Sequence, residues 1–179
     1  GPAAAVGLSL VIGIVMAEVL HTLGAGQVRV KWPNDLYLHD RKLAGILTEL
    51  TGKTGDAAHI ISGAGINLTM RNVQENVINQ GWINLQEAGI SINRNHLAVE
   101  LINALRNALI IFEQEGLKPF LSRWEKLDNF IHRPVKLIIG EREIVGISRG
   151  INEQGALMLE QNGVITPWMG GEISLRGMQ

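Results

Sequence analysis

The sequence predicts an α+β fold, a mixed β-sheet with packed helices followed by a small β-barrel. Three observations predict it. Residues 3–17 form an uncharged apolar run typical of a buried helix, short alternating runs fill residues 28–66, and five β-type runs separated by glycines follow residue 134. With 179 residues, 46% of them apolar and 18% charged, the chain can bury one core and carry a small appendage.

The composition excludes several classes of function. A net charge of −1 leaves no excess of positive charge for DNA, and the lack of cysteine removes disulfides and thiol chemistry. The five histidines match no metal-ligand spacing, so we assign no metal ligands. Glu18 and His21 close the apolar run short of the roughly 20 residues that a membrane span needs. We therefore expect a cytoplasmic protein that contacts no membrane.

The N-terminal elements follow from glycine, proline and alternation. A helix is predicted over residues 2–23, because Pro2 suits the first turn of a helix and Gly24 suits the position just after its last turn. Alternation predicts a strand at residues 28–32, halted by Pro33. A hairpin of residues 36–38 and 42–50 and a strand at 58–66 come next. The polar stretch of residues 68–82 is predicted to be a mobile binding loop.

The second half of the chain begins with a helix and ends in strands. Asn95 is predicted to cap a helix in which Leu97, Leu101, Leu105, Leu109 and Phe112 share one face, ending near Gly116. A shorter helix is predicted over residues 119–127. Runs at 134–139, 143–148, 156–160, 164–167 and 172–175 predict five strands that close into a barrel. We expect two domains, residues 1–129 and residues 130–179.

Two segments combine the residue types that chemistry on anions requires. In the first, a strand delivers Lys31, and a proline turn then fixes Asn34 and Asp35. In the second, a strand delivers Lys42 before Gly45, whose missing side chain would let a ligand approach the backbone. Each segment alone also fits an ordinary turn, an ion pair or a solvated lysine.

The order of the motifs resembles one family. KWPND, RKLAGILTE, GAGIN, a long loop reaching Gly81-Trp82 and PWMGGEISLR together resemble the biotin protein ligases, above all the enterobacterial members that also repress the biotin operon. The resemblance implies a class II synthetase-like biotin/lipoate ligase catalytic domain followed by a Src-homology-3-like barrel. The family's GRGRRGR loop and winged helix-turn-helix are not in this sequence. We therefore expect an N-terminally truncated ligase that does not ligate biotin at a useful rate alone.

The resemblance also implies a reaction and its substrates. Biotin and ATP, with Mg²⁺, would give biotinyl-AMP, and a lysine of the biotin carboxyl carrier domain of acetyl-CoA carboxylase would then displace AMP. The catalytic residues implied are Lys42, Lys31 and Asp35. Lys42, Gly45, Leu47, Gly63, Ala64, Gly65 and Ile66 are implied to bind biotin, and Asn34, Asp35, Asn67 and Trp82 to bind nucleotide. The roles of Lys31 and Asp35 stay open at this point, since Asp35 fits either phosphate-bound magnesium or proton acceptance.

The partners implied are the carrier domain, a second copy paired through the sheet, and DNA through the missing N-terminal domain alone. An alternative of another class is a non-catalytic ligand-sensing or dimerisation module. In it the sheet edge at residues 48–54 would pair with a second copy. Transfer of biotin to a carrier distinguishes the two.

Overall fold

The computed structural model describes residues 2–51, 59–66, 82–169 and 173–177, which form three α-helices and two β-sheets. The helices are α1 (Pro2–Thr22), α2 (Arg94–Glu115) and α3 (Leu121–Leu127), with a 3₁₀ turn at Lys118–Phe120. The strands are β1 (Arg29–Lys31), β2 (Asp35–Leu38), β3 (Arg41–Thr51), β4 (His59–Ile66), β5 (Pro134–Ile139), β6 (Arg142–Ile151), β7 (Leu157–Gln161), β8 (Val164–Trp168) and β9 (Ile173–Gly177). These elements confirm the predicted α+β class.

The N-terminal sheet has the order β1-β2-β3-β4, with neighbouring strands antiparallel. Two isolated bridges, Val30 with Asp128 and Lys42 with Trp82, are parallel, which makes the pairing mixed. The strand predicted over residues 28–32 is shorter, because Val28 and Trp32 lie outside the ladder. Residues 39 and 40 have φ of 51° and 59° and form the predicted hairpin turn.

Helix α1 lies at the centre of the fold. By length and composition Ala4–Thr22 could cross a membrane, but 67% of this apolar stretch is buried inside the structure, as in a core helix. Gly13 approaches Ile46 of the sheet on one side, and Gly7 approaches Phe112 of α2 on the other. A Cβ at Gly7 would lie 3.0 Å from the Phe112 ring, so glycine sets the distance between the two helices.

Helix α2 corrects two predictions. Its N-cap is Asn93 rather than Asn95, because the extended backbone of Asn93 lets its side-chain oxygen accept from His96 N at 2.9 Å. Leu109 is 38% exposed and the smaller Ala108 is buried in its place, because a 3.6-residue period drifts from a strict four-residue spacing. The predicted end is confirmed at Gly116, whose φ is 70°. The helix predicted from Pro119 begins instead at Leu121, after the 3₁₀ turn.

The C-terminal strands form a five-stranded antiparallel sheet with the order β8-β7-β6-β5-β9, which confirms the five predicted strands. Among the described residues no ladder joins β8 to β9, so closure into a barrel stays a prediction. It packs directly on the N-terminal part. Trp32 Nε1 donates to the Gly155 carbonyl at 2.9 Å, and the Tyr37 and Phe130 rings meet edge to face at 5.7 Å. Trp32 is 1% exposed, so this contact is buried. Trp32 therefore packs in the buried core.

Asp128, directly after α3, is a buried carboxyl group whose ionisation opposes folding. Its oxygens accept from Phe130 N at 3.0 Å and from Trp124 Nε1 at 3.1 Å. Burial is the dominant influence and raises the pKa of the Asp128 carboxyl to about 6, although these two hydrogen bonds lower it. The folded state therefore binds this proton more tightly than the unfolded state does.

We expect the free energy of unfolding to fall as the pH rises from 4.5 to 7.5. A raised folded-state pKa contributes stability that is complete below the unfolded pKa and is lost as the pH passes about 6. The contribution of Asp128 to this slope is on the order of 2 kcal/mol. Urea unfolding of the chain and of D128N measures it. The variant is expected to have the flatter slope, and equal slopes would contradict the assignment.

Candidate active site

One row of residues crosses the N-terminal sheet and forms the floor of the site. Lys31 pairs with Asp35, Asp35 with Gly45, and Gly45 with Gly65. Directly paired residues point to the same face of a sheet, so the row presents two charged side chains and then two glycines. The neighbouring row, Val30, Leu36, Ala44 and Ile66, lies on the opposite face toward α1 and the core.

A bulge in β3 brings Lys42 to the same face as this row. Leu36 pairs with Ala44 but Tyr37 pairs with Lys42, so Leu43 is an extra residue in β3. Without it, alternation would turn Lys42 toward the core together with Ala44. Both Leu43 and Ala44 are instead buried at 0% exposure, and Lys42 lies beside Gly45. The bulge thus places the second lysine in the site.

The three charged side chains form one cluster around Asp35. Lys42 Nζ lies 3.2 Å from Asp35 Oδ1, and Lys31 Nζ lies 3.8 Å from Asp35 Oδ2. Lys31 also donates to the Tyr37 hydroxyl at 3.2 Å. The side chains of Lys31 and Asp35 are 9% and 15% exposed and that of Lys42 is 29% exposed, so Lys42 is the lysine that faces solvent. Two cations against one carboxylate leave a net positive charge for an anionic ligand.

An open cleft of about 510 Å³ lies over this cluster. Its lining residues are Asn34, Asp35, Lys42, Gly45, Ile46, Leu47 and Gly65. Leu47 is 64% exposed and offers the cleft an apolar edge. A volume of this size suits a small organic ligand. Five of the residues predicted to bind biotin or nucleotide, beyond Lys42 itself, therefore line one cleft with it.

Other predicted site residues lie elsewhere. The Gly63 and Ala64 backbones pair with Leu47 and Ile46, which puts them in β4 as predicted. Ile66 packs against the core, so it does not line the cleft. Asn67 and the predicted loop up to residue 81 lie outside the described residues. Trp82 is described, and its ring centroid lies 4.7 Å from Lys42 Nζ.

Two neighbours of the site were not predicted from the sequence. Tyr37 holds Lys31, and Arg41 donates to the Trp82 carbonyl. A signal for Tyr37 exists, because in a strand it shares the face of Asp35 two positions earlier. Arg41 had no such signal, since its partners lie about 40 residues further along the chain.

Gly45 gives a test of the cleft. A Cβ at this position would meet Lys42 Cε and Nζ at 3.5 Å and Asp35 Oδ1 at 3.8 Å, which is ordinary contact. We expect G45A to weaken binding of a ligand that lies against this backbone by a few fold only, because its Cβ displaces neither Lys42 nor Asp35. G45V adds two methyl groups that must displace the Lys42 ammonium or fill the cleft, and is expected to weaken binding at least tenfold. Calorimetric titration with biotin measures both variants, and equal affinities would show that the ligand does not contact Gly45.

A cleft of this kind can bring two anions together. The fixed ammonium of Lys42 offsets the repulsion between them, and the glycines let a flat ligand lie against the backbone. Among the described residues no group of three or more His, Cys, Asp or Glu side chains could hold a metal ion. The positive charge and the glycine floor thus suit a reaction between a carboxylate and a phosphate ester.

Comparison with known families agrees with this class of site. Residues 2–67 match the biotin/lipoate A/B protein ligase family, and residues 130–176 match the biotin protein ligase C-terminal domain. Together the two matches include the whole described cleft and most of the C-terminal sheet. Fold and site therefore place the chain in the class of biotin and lipoate protein ligases.

Individual relatives narrow the class. The chain is 76% identical over all 179 residues to the bifunctional ligase/repressor BirA of Escherichia coli, of which it covers 56%. It is 28% identical over 161 residues to the biotin–[acetyl-CoA-carboxylase] ligase of Mycobacterium tuberculosis, and this covers 87% of the chain and 57% of the relative. The chain thus spans a little over half the length of these relatives.

A solved structure of a biotin protein ligase has the same fold as this chain. The biotin protein ligase of Aquifex aeolicus in complex with biotin and ATP superposes with a TM-score of 0.84 at 28% identity. The match covers 97% of this chain and 72% of that one. The chain belongs to the biotin protein ligase family.

Proposed function

We propose that the chain is the part of a biotin protein ligase that carries Lys31, Asp35 and Lys42. The ligase activates biotin with ATP to biotinyl-AMP and transfers biotin to a lysine of a carrier protein. The observation that carries the proposal is the positively charged, glycine-floored cleft of about 510 Å³ in a chain of this family. Relatives named as biotin ligases support it over the alternative of a non-catalytic sensing module.

In the first step a biotin carboxylate oxygen attacks the α-phosphorus of ATP. A new P–O bond forms, the bond to the β-phosphate oxygen breaks, and pyrophosphate leaves. Both reactants are anions, so their approach is disfavoured unless a fixed cation lies between them. Lys42 is the partly exposed lysine of the cleft, and Asp35 holds its ammonium at 3.2 Å. We assign Lys42 to contact the carboxylate and the phosphate together.

In the second step the carrier lysine attacks the carbonyl carbon of biotinyl-AMP. The C–N bond forms, the C–O bond to phosphate breaks, and AMP leaves. An amine must lose a proton to react as a nucleophile, and Asp35 is the carboxylate that lines the cleft. We assign Asp35 to orient this amine and accept its proton, with Lys31 balancing its charge from 3.8 Å.

The nucleotide and the magnesium ion belong to this proposal too. Asn34 and Trp82 flank the charged cluster, where an amide can bind a base edge and an indole can stack on it. We keep nucleotide binding as the proposed role of Asn67, and biotin binding as that of Gly63, Ala64 and Gly65. Ile66 is left out of the biotin site because it packs on the core. Mg²⁺ commonly binds through substrate phosphates and one or two carboxylates, so Asp35 is the residue that would contact it.

The partners follow from the names of the relatives. A relative named biotin–[acetyl-CoA-carboxylase] ligase supports the biotin carboxyl carrier domain as acceptor. The name ligase/repressor supports DNA binding through a part of that protein which this chain does not match. We also propose a homodimer through the sheet, as the resemblance to the biotin protein ligases implies. A cysteine-free, ATP-dependent enzyme fits the cytoplasm.

We further propose that residues 1–129 and 130–179 are separate domains. Support comes from the separate family matches at residues 2–67 and 130–176. Among the described residues the two sheets share no strand, and the change from helices to strands falls between Leu127 and Pro134.

The test uses a hybrid ligase, defined as this chain preceded by the N-terminal part of the Escherichia coli relative that it does not match. The hybrid is incubated with biotin, ATP, magnesium and a carrier domain, and the carrier is weighed by mass spectrometry. We expect biotin on the acceptor lysine and none when that lysine is replaced by arginine. The N-terminal part alone is the control. Binding of biotin without transfer would contradict the ligase and support the sensing module.

A further inference from the structure

Arg41, the first residue of β3, bridges two segments far apart in the sequence. Its Nη1 lies 2.6 Å from Glu87 Oε2, and its Nη2 lies 3.3 Å from Glu87 Oε1. The same Nη2 donates to the backbone carbonyl of Trp82. One guanidinium thus binds both ends of the segment of residues 82–87. The sequence analysis predicted neither Trp82 nor Glu87 as a partner of Arg41.

The segment that Arg41 grips is itself well ordered by its own contacts. Ile83 N donates to the Lys42 carbonyl at 2.9 Å, and the side chains of Ile83 and Leu85 are 3% and 1% exposed. Glu87 N donates to Asn84 Oδ1 at 2.6 Å, which closes a turn and presents the Glu87 carboxylate to Arg41. The fold of this segment therefore does not depend on Arg41.

Arg41 acts on Trp82 at the start of the segment, because it binds the carbonyl of the Trp82–Ile83 peptide group, whose N–H donates to the Lys42 carbonyl. Trp82 forms a parallel bridge with Lys42, and its indole centroid lies 4.7 Å from Lys42 Nζ. Lys42 thus has Asp35 on one side and the Trp82 ring on another. A movement of the Trp82 backbone would change the wall of the cleft that the indole forms, while Asp35 still holds the Lys42 ammonium at 3.2 Å.

We propose that Arg41 is a positioning residue for nucleotide binding, which holds Trp82 against Lys42 through the Trp82 carbonyl. The inference rests on the proposed function, because it assigns Trp82 to the nucleotide. Arg41 and Glu87 are 36% and 44% exposed, and ion pairs that exposed contribute little to stability. Loss of Arg41 should therefore affect nucleotide binding far more than folding.

The experiment compares three variants of the hybrid ligase. R41M removes both contacts and keeps an unbranched apolar stem in place of the arginine stem. R41K keeps the charge but cannot bridge two acceptors with a planar fork. E87Q weakens the ion pair while leaving the donor to Trp82 in place. Initial rates of pyrophosphate release give KM and kcat for ATP and KM for biotin, and thermal unfolding checks the fold.

We expect R41M to raise the KM for ATP at least fivefold, with kcat and the KM for biotin within twofold of the unsubstituted hybrid. R41K should fall between them and E87Q should stay within twofold. An unchanged KM for ATP in R41M, or an equal rise in E87Q, would contradict the role assigned to Arg41. So would a parallel rise in the KM for biotin, which indicates a general disturbance of the cleft.

Fluorescence separates this inference from the proposed function. The emission of Trp82 in each protein is obtained by subtracting the emission of the same protein that also carries W82F. We expect acrylamide to quench the Trp82 emission more strongly in R41M than in E87Q. If the unsubstituted hybrid forms no adenylate, the proposed function fails, and the quenching then decides the contact by itself. Equal quenching in the two variants would overturn it.

Discussion

K42A is expected to lower the rate of adenylate formation by at least about a hundredfold in the hybrid ligase. Lys42 is the ammonium that reaches into the cleft, 3.2 Å from Asp35 and beside the open space over Gly45. Without Lys42, no fixed ammonium lies between the biotin carboxylate and the α-phosphate. Lys31 is then the remaining lysine of the cluster. Lys31 is 8% exposed and bound to Tyr37, so it cannot move into the same position.

The measurement is pyrophosphate release with biotin and ATP, at substrate levels that separate kcat from KM. K118A is the matched control, because Lys118 is an exposed residue of the 3₁₀ turn and lies outside the cleft. We expect K118A to stay within twofold of the unsubstituted hybrid. A K42A rate within threefold of that hybrid would remove Lys42 from the reaction.

W32A is expected to lower the free energy of unfolding by about 3 to 5 kcal/mol, the usual effect of truncating a large buried aromatic residue. Trp32 is 1% exposed, belongs to the buried core and donates to the Gly155 carbonyl of the C-terminal part. Its backbone joins Lys31 to the turn that holds Asp35. We therefore expect W32A to lose ligase activity as well as stability.

Two milder variants separate packing from hydrogen bonding. W32F keeps most of the ring but leaves the Gly155 carbonyl without its donor at 2.9 Å, which costs about 1 to 3 kcal/mol. W168F is the matched control, because Trp168 Nε1 is buried with no hydrogen-bond partner among the described residues. Urea unfolding measures all three. A loss in W168F as large as that in W32F would show that the contact with Gly155 is not what stabilises the fold.

The local elements were predictable because their causes lie within a few residues. Period-two alternation gave the strands, and Gly24 and Gly116 marked the helix ends. The pairing of Lys31 with Asp35 was within reach as an ion pair across a turn. Motif order identified the family, although the physics of either lysine segment alone fits an ordinary turn or a solvated side chain.

The bulge at Leu43 could not be predicted from alternation. A regular strand would have placed Lys42 and Ala44 on the same face, and it is the pairing of Tyr37 with Lys42 that reveals the extra residue. The role of Arg41 was hidden for a different reason. Its contacts to Trp82 and Glu87 form only when β3 packs against the segment that begins at residue 82. No local pattern in the sequence predicts this tertiary contact.

The central claim is that the cleft over Lys31, Asp35 and Gly45 binds the adenylate of biotin. A crystal structure of the hybrid ligase with biotinyl-AMP tests it most directly. We predict the phosphate within hydrogen-bond distance of Lys42 Nζ and the bicyclic ring against Gly45 and Gly65. The adenylate bound elsewhere, for example in the cleft that Arg29 and Lys126 line near the end of α1, would contradict the account.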